Sequence, residues 1–269
     1  MTEENIDDLI KLINTNINNW EDSTFLNEKL SATSNRLYYL TSEYNRLANI
    51  LLNKDEENYK KSKNLYYKYC RGIEFDYWIS KEFYPHLRIN KEFNLHGTFG
   101  NNFHIFILCD HDVAVREILN EMEHISQFKD TKQMMLFNAF KFILNDNLSK
   151  SREYFELYNH RYDKWTKVQY MAVKGILEND VNFINQGIKL AIKEDTSQMV
   201  NQPEFLKKYS PKATAVAKLA IKYGLQPDIS SKLINQHLLI HEPMLFEDIN
   251  DLFEKINIVP IKSYDLKNY

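Results

Sequence analysis

Three stretches of this 269-residue chain align on one another without a gap. They are Phe106-Ile-Leu-Cys-Asp-His-Asp-Val-Ala-Val-Arg116-Glu-Ile-Leu, Phe142-Ile-Leu-Asn-Asp-Asn-Leu-Ser-Lys-Ser-Arg152-Glu-Tyr-Phe and Gly175-Ile-Leu-Glu-Asn-Asp-Val-Asn-Phe-Ile-Asn-Gln-Gly-Ile188, starting 36 and 33 residues apart. Ile107, Ile143 and Ile176 coincide, as do Leu108, Leu144 and Leu177. Each copy leaves an apolar helix, crosses a short Asp/Asn turn and enters a second helix. A weaker echo sits at Leu51-Leu-Asn followed by Ser62-Lys-Asn-Leu, with three extra residues in the turn. A helix–turn–helix period near 34 is the signature of a tetratricopeptide-like α-solenoid, in which each pair buries its apolar face only by stacking on the next. The expected fold class is therefore all-α, antiparallel helix pairs stacked in a single domain. The standard Trp…Leu-Gly…Tyr pattern of tetratricopeptide repeats is missing, so the architecture is expected without that family.

Helical spacing extends beyond the repeats. Ile6, Leu9, Ile10, Ile13 and Ile17 follow the i, i+3, i+4, i+7 rule. Leu26, Leu30, Leu37, Leu40, Tyr44, Leu47 and Leu51 make a second stripe, and Tyr59, Leu65, Tyr66, Tyr69, Ile73 and Trp78 a third. The short join Lys54-Asp55-Glu56 predicts an antiparallel hairpin between the last two. Trp165, Val168, Ala172 and Ile176 continue the core stripe of the third repeat. Pro85, Gly97 and Gly100 break the pattern over 83–103, which divides a helical hairpin region, 1–95, from a helical-repeat region, 96–269, the two continuous in one domain. Farther on, Ser210-Pro211 predicts a helix start and Gly224 its stop. The alanines between them predict a face that another helix approaches closely. A short helix is expected over 231–240, and one more over 244–256.

Composition sets limits. Six Gly and six Pro are too few for the turns of a β-sandwich or barrel. The pair Gly97 and Gly100 lacks the lysine and preceding strand of a phosphate loop. The formal net charge of −3 argues against nucleic acid or an anionic membrane as the partner, since both need clustered positive charge. The aromatic residues fall at helical core spacing and are not interleaved with Arg, unlike a base-stacking platform. No apolar run is long enough to span a bilayer. An acidic start and only two cysteines, Cys70 and Cys109, suit a cytoplasmic protein with buried, inert thiols.

No catalytic constellation assembles from the sequence, and no cofactor or metal is expected. His237 and His241 are four residues apart, a spacing that can place two imidazoles on one metal, but a metalloprotease-type glutamate is missing and no third ligand is indicated. Asp110-His111-Asp112 resembles an acid/base cluster, but sequence neighbours rarely face one another on one surface, and a helix N-cap turn uses just such residues. Acidic residues gather at the repeat turns, at Asp110, Asp112, Asp146, Glu178 and Asp180. Corresponding turns of a solenoid lie along one edge, so these carboxylates are expected to form an exposed rim that meets a basic partner. The first 60 residues are also acidic, with a net charge of −5.

The closing segment carries a family resemblance. Tyr209-Ser-Pro-Lys-Ala-Thr-Ala-Val-Ala-Lys-Leu-Ala-Ile-Lys-Tyr-Gly-Leu, followed by Ser231-Lys-Leu-Ile-Asn-Gln-His-Leu-Leu, is similar to the end of the Imm49 family of immunity proteins, with Asn235 where the family carries a proline. The similarity covers roughly residues 100–240. It implies an all-helical bacterial protein, not an enzyme, that binds and neutralises a cognate toxin by stoichiometric occlusion; a homodimer is compatible with that reading. The residues alone leave two alternatives open: a tetratricopeptide-like peptide receptor or scaffold with a groove lined by Asn and Tyr, and a helical metal-dependent hydrolase using His237 and His241.

Overall fold

The computed structural model describes residues 3–22, 30–83, 102–121, 132–158, 166–198, 207–242 and 244–249. Among them the regular elements are helical, with no β-strand. They are α1 (Glu3–Asp22), α2 (Leu30–Lys54), α3 (Tyr59–Phe83), α4 (102–108), α5 (Asp112–Glu121), α6 (Lys132–Leu144), α7 (Leu148–Leu157), α8 (Lys167–Glu178), α9 (Val181–Gln198), α10 (Pro211–Lys222) and α11 (Gln236–Leu239). Consecutive helices pack as antiparallel pairs, as the repeat alignment predicts. Several expectations lie outside the described residues: Leu26, Pro85, Gly97, Gly100, Trp165, the side chain of Trp78 and any helix beyond residue 249.

The aligned isoleucines and leucines occupy equivalent sites. Ile107, Ile143 and Ile176 are all buried, and so are Leu108, Leu144 and Leu177. The turns that follow are equivalent as well. Asp110, Asp146 and Asn179, one residue per copy at the same aligned position, are among the described residues the non-glycine ones with positive φ, at 60°, 56° and 54°. Asp and Asn tolerate this left-handed conformation better than other non-glycine residues, because their short polar side chains bond locally. In the second and third copies the backbone closes in Schellman fashion. Asn147 N donates to Phe142 O at 2.8 Å, and Asp180 N to Gly175 O at 2.8 Å.

The next residue of each copy caps the second helix. His111 Nδ1 accepts from Ala114 N at 3.2 Å, Asn147 Oδ1 from Lys150 N at 3.1 Å, and Asp180 Oδ1 from Asn182 N at 2.8 Å. Another equivalent position links each copy to the turn after it. Arg116 Nη1 lies 3.6 Å from Asp146 Oδ2, Arg152 Nη2 donates to Leu177 O at 2.5 Å, and Asn185 Oδ1 accepts from Asp228 N at 2.8 Å. The turns therefore follow one another along one edge.

The echo in the N-terminal hairpin has the same chemistry. Its three extra residues form the 3₁₀ turn Glu56–Asn58, capped by Asp55. Ser62 Oγ donates to Ala48 O at 3.1 Å, and the aligned Ser151 Oγ to Ala139 O at 2.8 Å; both serines are fully buried. One hydrophobic cluster contains residues of the hairpin and of the repeats, so the two regions share a core.

Helix α10 closes the stack. Ser210 caps it, Pro211 occupies its first turn and Gly224 ends it at φ 77°. Ser210 Oγ also donates to Asp195 Oδ2 at 2.6 Å, tying α10 to α9. Burial pushes the Asp195 carboxyl above the usual carboxylate range, against the pull of Ser210 and Lys212. Ala213, Ala215, Ala217 and Ala220 are completely buried. Ala217→Leu is therefore expected to overpack this contact and cost about 1–3 kcal/mol, read as a lowered melting temperature. An unchanged melting temperature would mean that the alanine face tolerates bulk.

Two expectations near the end need correcting. The helix expected over 231–240 is only the turn Gln236–Leu239, capped by Asn235. Residues 244–249 are not helical. They run along α3 with Phe246 and Ile249 buried and Leu245 exposed. Their polar groups are taken by α3: Glu247 N donates to Asn64 Oδ1 at 2.8 Å, and Asp248 accepts from Tyr67 Oη and Arg71 Nε, each at 3.1 Å. The Glu247 amide, which a helix would pair with a backbone carbonyl, is thus taken by a side chain of α3, and the Asp248 carboxylate pins the segment to the same helix.

Candidate functional site

The turn between α4 and α5 places Asp110 at the meeting point of four elements. Its carboxylate pairs with Lys63 of α3, Oδ2 to Nζ at 2.5 Å, and with Lys218 of α10. His241 Nδ1 lies 3.4 Å from Oδ1. The two ammoniums are anchored further: Lys63 Nζ donates to Ile240 O at 2.9 Å and Lys218 Nζ to Leu238 O at 2.7 Å. Asp110 is 2% exposed. It is no rim residue, which corrects the expectation of an exposed partner contact. Two lysines from distant helices draw this carboxylate inward, and no feature local to the turn signals it.

The electrostatics follow from one carboxylate serving two ammoniums. Burial disfavours the Asp110 charge, but the His241 contact and the two lysines outweigh it, so its carboxyl is held below the usual range. Burial pulls Lys218 down to about 8; repulsion from Lys63 acts in the same direction, and the pairing with Asp110 offsets only part of the lost hydration. The hydrogen bond to Asp110 raises His241.

An open cleft of about 420 Å³ lies over this cluster. Phe106, Ile107, Val115, Leu144, Leu219 and Leu239 form its walls, with Asp110, Lys218 and His241 also in the lining. Ile221 and Ile240 line it while remaining 39% and 55% exposed. Asp112 and Lys222 also border it. Lys222 Nζ bridges Asp112 at 3.5 Å and Asp146 at 3.3 Å, which brings the first two turns together beside the cleft. Tyr223 Oη lies 2.5 Å from Ile143 O and 3.1 Å from Asp146 Oδ1, fixing α10 to the second turn.

The remaining acidic positions are at the surface of the third turn. Glu178 is exposed, with Lys174 at 3.9 Å, and Asp180 is half-buried with its side chain capping α9. The acidic edge thus consists of Asp112, Asp146, Glu178 and Asp180, with Lys222 and Arg116 balancing the charge of its first two carboxylates.

The two histidines do not converge. His237 stacks on Tyr59 and lies 3.4 Å from Glu57, whereas His241 faces Asp110. Among the described residues no three His, Cys, Asp or Glu side chains gather as a metal site. Cys70 and Cys109 are buried, and burial, with Cys109 as neighbour, pushes the Cys70 thiol well up, away from the reactive thiolate. No described helix is long and apolar enough to cross a membrane.

The sequence did hold one signal for the Asp110 cluster: Lys218 is the single charged residue within the run 213–221 of an otherwise small and apolar helix. A lysine in such a place needs a buried counter-charge. Comparisons with protein-family models, with curated proteins and with solved structures return no match to this chain.

Proposed function

We propose that this protein is an immunity protein of the Imm49 type, which binds a cognate toxin protein and neutralises it by stoichiometric occlusion, the turn edge being the contact surface. One observation carries the choice of surface: an apolar cleft with exposed isoleucines lies beside the charged groups Asp112, Asp146 and Lys222. An apolar centre with a polar rim is the anatomy of a protein interface, where a few anchors seated in pockets supply most of the affinity. The family reading rests on the closing segment, whose helix and capped turn build the cleft. The peptide-receptor alternative is less well supported, because neither Asn nor Tyr lines this cleft.

Co-expression with a toxin encoded by a neighbouring gene tests the reading. The native protein is expected to restore growth. Ile221→Asp with Ile240→Asp is expected to abolish rescue while leaving the fold intact, since both side chains are substantially exposed. Changing Asp112, Asp146 and Asp180 to Asn and Glu178 to Gln is expected to slow association about tenfold at low salt, with the difference closing as ionic strength rises. Failure of the native protein to rescue would overturn the function, and full rescue by the double isoleucine variant would overturn the surface.

A further inference from the structure

The cleft has an unusual charge balance for its walls. Lys63 and Lys218 bring two positive charges to the single negative charge of Asp110, and all three are almost fully buried. These three groups are thus one positive charge in excess before His241 is counted, and Glu242, the other carboxylate that acts on Lys63, is already paired with Lys60. Farther out, Asp112 and Asp146 face Lys222 and Arg116, which balance one another. An ammonium has three N–H groups. Among the described residues, Leu238 O and Asp110 take two of those on Lys218, a residue that also lines the cleft. The floor therefore offers one donor and one uncompensated charge in a space whose other surfaces are chiefly aliphatic.

Such a space selects its ligand. A cationic group would add to the excess charge. A neutral apolar group would fill the walls but leave the buried charge uncompensated, and a multiply charged anion would lose the hydration of charges that the aliphatic walls cannot replace. A single carboxylate on a hydrocarbon body satisfies both parts. It brings the floor to neutrality through a charge-assisted hydrogen bond, and its body replaces water along the walls. A volume of about 420 Å³ is within the range of small-molecule sites.

We infer that this cleft is a binding site for a small apolar monocarboxylate, its carboxylate held by Lys218 and His241 and its hydrocarbon body lying along Phe106, Ile107, Leu219 and Leu239. The inference needs no partner protein, so its failure leaves the toxin reading untouched.

Calorimetric titration of the full chain with decanoate, kept below its micellar concentration, tests it. Saturable one-to-one binding is expected, with 1-decanol, of the same chain length but uncharged, binding about tenfold more weakly, a difference of about 1.4 kcal/mol. Lys218→Met is expected to weaken decanoate about tenfold and to leave decanol unchanged. This variant keeps Asp110 paired with Lys63, so the pair that remains is neutral and no buried charge is left without a partner. Methyl resonances of Ile107 and Leu219 are expected to shift on titration. Absence of saturable binding, equal affinity for decanol and decanoate, or shifts confined to methyl groups elsewhere would each overturn the assignment. The decanol comparison is made on the native chain and holds whether or not the variant folds.

Discussion

Asp110→Asn is expected to destabilise the protein by about 3–5 kcal/mol in urea unfolding at neutral pH, because it leaves two buried ammoniums without their counter-ion. Asparagine keeps the left-handed turn accessible, so backbone strain does not confound the result. Adding Lys63→Met and Lys218→Met is expected to recover most of the loss, since buried ion clusters can often be exchanged for apolar groups of similar volume. The pH dependence has a defined sign. The folded-state pKa of Asp110 is depressed, so its contribution is present above the ordinary carboxylate value and is lost as pH falls through the folded value. His241 behaves oppositely. Its raised pKa contributes stability that is full below the ordinary imidazole value and disappears as pH rises through the folded one. In Asp110→Asn the pKa of His241, followed by NMR, should fall. A variant as stable as the native protein would mean that the two lysines reach water, contrary to their burial.

The second large effect lies at Arg71, which is 1% exposed and paired with Glu74 of its own helix and Asp248 of the closing segment. Arg71→Met leaves two buried carboxylates uncompensated, and the expected cost is again about 3–5 kcal/mol. It should also release residues 244–249 from α3, seen as faster amide exchange there. Asp248→Asn should be milder, because Glu74 still neutralises Arg71. Equal costs for the two variants would contradict this division of roles.

The aligned repeats were legible because each local requirement recurs at one register. The buried isoleucine, the Asp/Asn in the left-handed turn, the capping residue and the link to the following turn depend on residues within one or two neighbouring copies. Ser210, Pro211 and Gly224 were readable for the same reason. Asp110 was misread because its environment is set by Lys63 and Lys218, 47 residues before it and 108 after it. Its neighbours in sequence suggest a solvated turn, and at the aligned Asp146 that suggestion is correct: its side chain is 42% exposed. The 244–249 segment was misread as helix because the polar groups of α3, almost two hundred residues away, supply its hydrogen bonds. Short-range pattern thus specified the pairs, while charges from distant elements decided which turn became core and how the end of the described chain docks.

We propose that the turn edge is the recognition surface of a stoichiometric inhibitor. Hydrogen–deuterium exchange on the protein alone and with a candidate toxin encoded by a neighbouring gene tests this proposal. A one-to-one complex is expected, with protection concentrated at the three turns around Asp112, Asp146 and Asp180 and at residues 219–224. Protection confined to α1 and α2, or no complex at micromolar concentrations, would contradict it.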